Sequence, residues 1–207
     1  MANERIEIVV FDGFDELDVF GPFEVLSTAG FHVDLVTVQR PGSVVSMRGV
    51  EVSVPAVLGA ADRIVVPGGG WLDHAAEGAW AQAQRGTLPD RLVDVAQNAR
   101  WMASVCTGSM LLARAGLLTG RYATTNRNAF DELAPHVLEV VDERVVDDND
   151  RITAGGLTAG LDLGLWIVER ELGPRAAERV ARSIEYTRQG RVWPAPRRNG
   201  ATGRDAG

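Results

Sequence analysis

Trp101-Met102-Ala103-Ser104-Val105-Cys106-Thr107-Gly108-Ser109, followed by Met110 to Gly116, is the stretch on which the fold turns. Its first five residues form a short, mostly apolar run without polar alternation, the pattern of a strand buried on both faces. From Ser109 the residues suit a helix, and Gly116 supplies its stop. The unit therefore reads strand, turn, helix, with Cys106 at the turn. Working outward, Ile6 to Phe11 reads as a buried strand, Leu17 to Thr28 as a helix and Phe31 to Val38 as a strand. A small hairpin is expected over Val44 to Val54 about Arg48-Gly49. Arg63 to Val66 is a strand stopped by Pro67-Gly68-Gly69-Gly70, and Leu88 to Ala99 is a helix. Val137 to Val146 and Arg151 to Thr153 read as strands around an acidic turn. Thr158 to Leu172 and Pro174 to Tyr186 read as helices, the second with proline at its first position, where the missing N–H costs nothing. Alternating strands and helices with continuous apolar strands predict an α/β fold whose central sheet is mainly parallel and covered on both faces. In such folds ligands bind beyond the carboxyl ends of the strands, so the loops there carry the chemistry.

The chain has 207 residues and 21 basic side chains, every one of them arginine. The absence of lysine excludes a Schiff-base lysine, a lysine general base and a phosphate-loop lysine. A single cysteine excludes an intrachain disulfide and any metal site built from several cysteines. The length suits one domain, expected over residues 1–190, with 191–207 as a disordered tail rich in proline, arginine and glycine. A net charge of −7 disfavours nucleic acid as the main partner. No apolar window is long enough to span a membrane and no secretory leader is seen, so a cytoplasmic protein is expected.

Three loops stand out. At the strand-to-helix turn, Cys106 would sit on a sharp elbow beside the free N–H groups of the helix start, which are expected to lower its pKa. The plainer reading is a small buried core cysteine. Pro67-Gly68-Gly69-Gly70 allows close backbone approach and can offer N–H groups to an anion, or it is a tight turn. The loop Asp12-Gly13-Phe14-Asp15-Glu16-Leu17-Asp18 holds four acids. Asp18, between two apolar residues, is expected to have a raised pKa and to serve as a proton donor. Its alternative is an acid that complements the helix dipole. Asp12, Asp15 and Glu16 read as solvated or capping residues. His32, His74 and His136 do not adjoin Cys106 and read as surface or satisfied histidines. The acidic turn Asp147 to Asp150 lacks the glycine and terminal glutamate of a calcium loop and reads as a hairpin turn.

Taken in order, the first loop with its continuation to Gly21-Pro22, then Val-Pro-Gly-Gly-Gly, Ser-Val-Cys-Thr-Gly-Ser, Ala-Thr-Thr and Ile-Thr-Ala-Gly-Gly-Leu-Thr-Ala-Gly-Leu-Asp resemble the ThiJ/PfpI superfamily over about residues 5 to 188. Within it the chain is most similar to the isonitrile (isocyanide) hydratases. The resemblance implies a flavodoxin-like three-layer sandwich, a homodimer and a small-molecule substrate, with no cofactor or metal. It implies Cys106 as nucleophile, Asp18 as the acid contacting the thiol, and Gly69 with the Thr107 N–H as anion-stabilising amides, assisted by Gly70. The implied reaction adds water to an isocyanide to give an N-substituted formamide. Where hydratases often have histidine after Ala-Thr-Thr, this chain has Asn126. A glyoxalase or deglycase acting on α-oxoaldehydes is the enzymatic alternative; its relatives carry glutamate at the position of Asp18 and a histidine near the cysteine. A peptidase relative would have histidine where Thr107 stands. A ligand or cysteine-oxidation sensor is the non-catalytic alternative, since an accessible low-pKa thiol is readily oxidised.

Overall fold

The structure, a computed structural model, describes residues 4–196. In chain order, β1 (Arg5–Val9) leads into α1 (Glu16–Thr28) and β2 (His32–Thr37). The hairpin β3 (Gly42–Val45) and β4 (Glu51–Val54) stands apart from the main sheet, which resumes with β5 (Ala56–Val57) and β6 (Arg63–Val66). Helices α2 (Ala79–Arg85) and α3 (Thr87–Ala96) precede β7 (Trp101–Val105) and α4 (Gly108–Arg114). Next come β8 (Tyr122–Ala123), the single turn α5 (Phe130–Leu133), β9 (Glu139–Val140), β10 (Val145–Asp148) and β11 (Arg151–Ala154). Helices α6 (Ala159–Leu172) and α7 (Pro174–Ser183) and strand β12 (Val192–Pro194) follow.

Eight strands form the central sheet in the order β12-β10-β11-β7-β6-β1-β2-β5, and β10–β11 is its one antiparallel pairing among the described residues. Helices α1, α6 and α7 pack on one another, as do α2, α3 and α4, and these groups flank the sheet. The mainly parallel α/β sandwich expected from the sequence is what the chain adopts. Its central strands are covered on both faces: all residues of β6 and β7 are buried, as are Ile6 to Val9 of β1. The chain runs outward from β1 to β2 and β5, then crosses back to β6 and β7. The loops after β1, β6 and β7 therefore meet over one region of the sheet's carboxyl edge.

Three segments depart from the sequence reading. The helix expected at Leu88 is preceded by α2, whose alanines at 79, 81 and 83 alternate rather than follow a helical period. The helical propensity of alanine prevails where the apolar pattern gives no signal. The run Val137 to Val146 is not one strand. Val140 ends a ribbon with β8, Val141 donates its N–H to Ala123 O at 2.8 Å, and β10 begins at Val145. Finally, Val192 to Pro194, placed in a tail by composition, pairs with β10, Val192 opposite Val145. Trp193 lies 4.9 Å from Tyr122 between ring centroids. Two apolar residues and one aromatic contact order this stretch despite its polar flanks. The remainder of the expected tail, 197–207, lies outside the described residues.

The elbow is held tightly against β6. A Cβ on Gly108 would lie 2.1 Å from Val66 O and 2.8 Å from Pro67 C, both backbone atoms that cannot swing away. Gly108→Ala is therefore expected to lower unfolding stability by about 3 kcal/mol, at the upper end of ordinary overpacking costs. A urea midpoint equal to that of the wild type would show that β6 and α4 separate freely.

Candidate active site

Cys106 occupies the sharp turn between β7 and α4 with φ 54°, a left-handed conformation that a non-glycine residue adopts at some cost. Its backbone is pinned from three sides. The N–H donates to Ala154 O at 3.0 Å and Gly155 O at 2.9 Å, while the carbonyl accepts from Ser109 Oγ at 2.8 Å and Thr125 Oγ1 at 2.9 Å. The side chain is 6% exposed, at the floor of a cleft of about 260 Å³ walled by Met47, Trp71, Leu72 and Leu157. Gly69, Gly70, Thr107 and Asn126 complete the lining near the thiol.

Asp18 lies in the first turn of α1 and is fully buried. Its Oδ2 accepts the Gly68 N–H at 3.0 Å, whereas Oδ1 is buried without a close hydrogen-bond partner. Burial, aided by the neighbouring charge of Asp15, pushes this carboxyl well above its ordinary range; the Gly68 N–H, the Cys106 thiol and the Leu157 N–H act in the opposite direction. The expectation of a raised Asp18 pKa is met. The expectation of a lowered thiol pKa is not. Burial, and after it the charge of Asp18, pushes Cys106 up to about 12, against hydrogen bonds from Asn126, Thr107 N–H and Leu157 N–H. The amides at the start of α4 are present, but the removal of the sulfur from water outweighs them. Burial thus favours the protonated form of both groups, and a charge on Asp18 further opposes the thiolate.

The glycine loop is threaded between the other two. Gly68 donates to Asp18, and the Gly69 N–H, expected to face an anion, donates instead to Thr107 Oγ1 at 3.2 Å. Gly69 has φ 122°, and a Cβ there would lie 2.4 Å from Gly13 O, so this close approach requires glycine. The amides that face the sulfur are those of Thr107 and Leu157. In the first loop Asp15 caps α1 by accepting from Leu17 N at 3.0 Å. Asp12, exposed as expected, and the half-buried Glu16 also serve as ties. Asp12 accepts from Val45 N at 2.9 Å, and Glu16 accepts from the Ser46 hydroxyl, Arg48 N and the Arg48 guanidinium. These bonds fasten the β3–β4 hairpin over the loop and bring Met47 to the cleft.

Residues 4–170 match the DJ-1/PfpI family. The chain belongs to that family. It is 34% identical over 197 residues to the isonitrile hydratase of Pseudomonas putida, across 93% of this chain and 80% of that one. Among solved structures, a ThiJ/PfpI family protein from Pseudomonas syringae superposes with a TM-score of 0.81 at 29% identity, covering 98% of this chain and 80% of the other. Drosophila melanogaster DJ-1beta shares the fold, with a TM-score of 0.78 at 22% identity over 90% of this chain and all of the other.

Two contacts of this DJ-1/PfpI site were not singled out from sequence. Asn126 Nδ2 lies 3.5 Å from Cys106 Sγ. Leu157, at φ 49°, presents its N–H to the same region. The Ala-Thr-Thr motif pointed to the neighbourhood of Asn126, whose side chain sequence reasoning treated only as a missing histidine. No residue type marks a backbone N–H such as that of Leu157. No histidine lines the cleft: His74 stacks on Trp80 at 3.8 Å between centroids and His32 pairs with Asp34. The turn at Asp147 is the expected hairpin, with Asp147 accepting from Trp166 Nε1 at 2.7 Å. Among the described residues no group of three or more histidine, cysteine or acidic side chains is arranged to hold a metal, and no helix is long and apolar enough to cross a membrane.

The raised carboxyl has a cost that pH exposes. The folded pKa of Asp18 exceeds the unfolded value near 3.9, so the carboxyl is least unfavourable below that value and destabilises the fold as pH rises from there toward the folded pKa. Asparagine is neutral throughout. Asp18→Asn is accordingly expected to raise the melting temperature at pH 7 relative to wild type and to lose that advantage at pH 3.5; an equal difference at both values would contradict it.

Proposed function

We propose that this chain is an isocyanide hydratase-like lyase, adding water to a small, predominantly apolar isocyanide to give an N-substituted formamide. The observation that carries this reading is a buried carboxyl group, its pKa raised by that burial, set against the Cys106 thiol at an apolar-walled cleft. An isocyanide carbon accepts a nucleophile and a proton at the same atom. Cys106 Sγ would bond to that carbon while Asp18 passes its proton to it and receives the thiol proton in exchange. The product is a neutral thioimidate, RN=CH–S–Cys106, formed without an isolated thiolate, so a thiol pKa near 12 is compatible with the step. Water then adds across the C=N bond, its hydroxyl going to carbon and a proton to nitrogen by way of Asp18. The adduct RNH–CH(OH)–S–Cys106 loses its hydroxyl proton, the C–S bond breaks, sulfur regains a proton and RNH–CHO leaves. The Thr107 and Leu157 N–H groups would steady the sulfur as its charge rises and falls. The cycle needs no cofactor, and the relatives' resemblance supports a homodimer as the working form.

The rival readings fit the site less well. Glyoxalase and peptidase chemistry call for a base beside the thiol, and no histidine lines the cleft. An oxidation sensor calls for an accessible thiolate, whereas Cys106 is 6% exposed and held protonated. The deciding experiment incubates the purified chain with aryl and alkyl isocyanides and follows the formamide by NMR. Turnover of several of them is expected; no turnover, with methylglyoxal consumed instead, would overturn the hydratase reading.

A further inference from the structure

We propose that Trp71 sets the size of the organic group that can reach Cys106, and that Glu132, outside the cleft, is the positioning residue that holds the indole in place. For its substrate, an isocyanide with a small organic group, the proposal rests on the hydratase reading; for the wall itself it rests on geometry.

The cleft of about 260 Å³ lies below the roughly 300–1,000 Å³ of pockets that take up drug-sized ligands, so a wall that cannot give way limits what enters. Of its four large apolar walls, Met47, Leu72 and Leu157 are 45%, 47% and 39% exposed, and side chains open to water in this way change rotamer readily. Trp71 is 3% exposed. Its indole is braced twice. Nε1 donates to Glu132 Oε2 at 2.9 Å, and the ring meets Trp80 edge to face, with centroids 5.2 Å apart and planes at 80°. Each brace is itself secured. Glu132 belongs to α5, whose Leu133 is fully buried, and Trp80 is stacked on its other neighbour, His74, with centroids 3.8 Å apart. The His74 N–H donates to the Trp71 carbonyl at 3.1 Å, which closes the turn that carries the indole.

Compliant and rigid walls differ in what they cost a bulky substrate. A large group can push Met47, Leu72 or Leu157 toward solvent, whereas displacing the indole breaks its hydrogen bond to Glu132 and its contact with Trp80. Discrimination between a compact and a bulky substrate therefore falls to Trp71, and it grows with each carbon that must pass the ring. Glu132 does not line the cleft, so its influence on the reaction runs through the indole. A carboxylate at 132 is not required for this; any side chain that offers an acceptor oxygen at the same reach will hold the N–H.

The single cysteine makes the test direct, because alkylation reports access to Cys106 alone. Rates with iodoacetamide and with its N-naphthyl analogue, each normalised to the rate with free cysteine, give a preference for the compact reagent. Trp71→Ala is expected to lower that preference at least about tenfold. Glu132→Leu should lower it about threefold, the effect of one lost hydrogen bond on the hold of the ring. Glu132→Gln, whose amide oxygen can accept the indole N–H, should restore the wild-type preference. With isocyanides, Trp71→Ala and Glu132→Leu should lower the KM of a naphthyl isocyanide relative to that of methyl isocyanide. An unchanged preference in Trp71→Ala overturns the role of the indole, and a Glu132→Gln variant that behaves like Glu132→Leu overturns the bracing. Should Trp71→Ala fail to fold, the wild type still decides: the Trp71 indole N–H resonance must shift when Cys106 carries the naphthyl group, and a fixed resonance overturns the assignment. Absence of wild-type isocyanide turnover would sink the hydratase reading alone, since the alkylation preferences judge the wall without it.

Discussion

Asp18→Asn is expected to slow isocyanide hydration at least about a hundredfold while making Cys106 easier to alkylate. The two effects have opposite signs because Asp18 plays two parts at the sulfur. Its charge, where the carboxyl is ionised, is the second cause, after burial, of the high thiol pKa, so a neutral amide leaves the thiolate less disfavoured and iodoacetamide reacts faster over the alkaline range in which wild-type Asp18 is charged. The amide, however, cannot hand a proton to carbon or receive one from the thiol, so thioimidate formation loses its acid and its acceptor together. The Gly68 N–H that Asp18 Oδ2 accepts at 3.0 Å can still be accepted by an asparagine oxygen, which preserves the local fold. Parallel measurements of formamide production and alkylation check the pair. Hydration at the wild-type rate would remove Asp18 from the mechanism, and slower alkylation would reverse the assigned electrostatics.

Cys106→Ala should abolish formamide production, with a loss of at least about a thousandfold, because the chain has no second thiol to form the thioimidate. Stability should change by no more than about 1 kcal/mol, since the hydrogen bonds that pin residue 106 are made by its backbone. Trapping supports the same conclusion from the other side: wild-type protein quenched in acid during turnover should carry one equivalent of isocyanide mass on Cys106. Residual hydration by the alanine variant above a tenth of wild type would show that sulfur is not the attacking atom.

Much of this architecture is legible in the chain because its central strands are continuous apolar runs that end in glycine-bearing or acidic loops. β1, β6 and β7 announce themselves in this way, and so does the elbow, where a five-residue strand meets a helix at Cys106. Elements without such a signature were missed or misplaced. Helix α2 has an alanine pattern of the wrong period, and β12 owes its place to a partner strand and to Tyr122. The acids of the first loop illustrate a third case. Asp12 and Glu16 have the composition of solvated residues, yet they bind a hairpin some thirty positions away, a long-range pairing that no local pattern records.

The sequence by itself determined the family, through the resemblance of its ordered motifs, and the sheet class and the three loops after the strands, through periodicity and turn residues. Tertiary structure decided the state of that cysteine. Proximity to a helix start argued for a lowered pKa, but burial acts on the sulfur through every surrounding atom, and beside Asp18 it leaves the thiol near 12. It also decided that an asparagine, placed by its own turn and by the bare Cα of Gly156, faces the sulfur. Solvation and contact at a site are sums over neighbours distant in the chain, so they come into being only once the chain has folded.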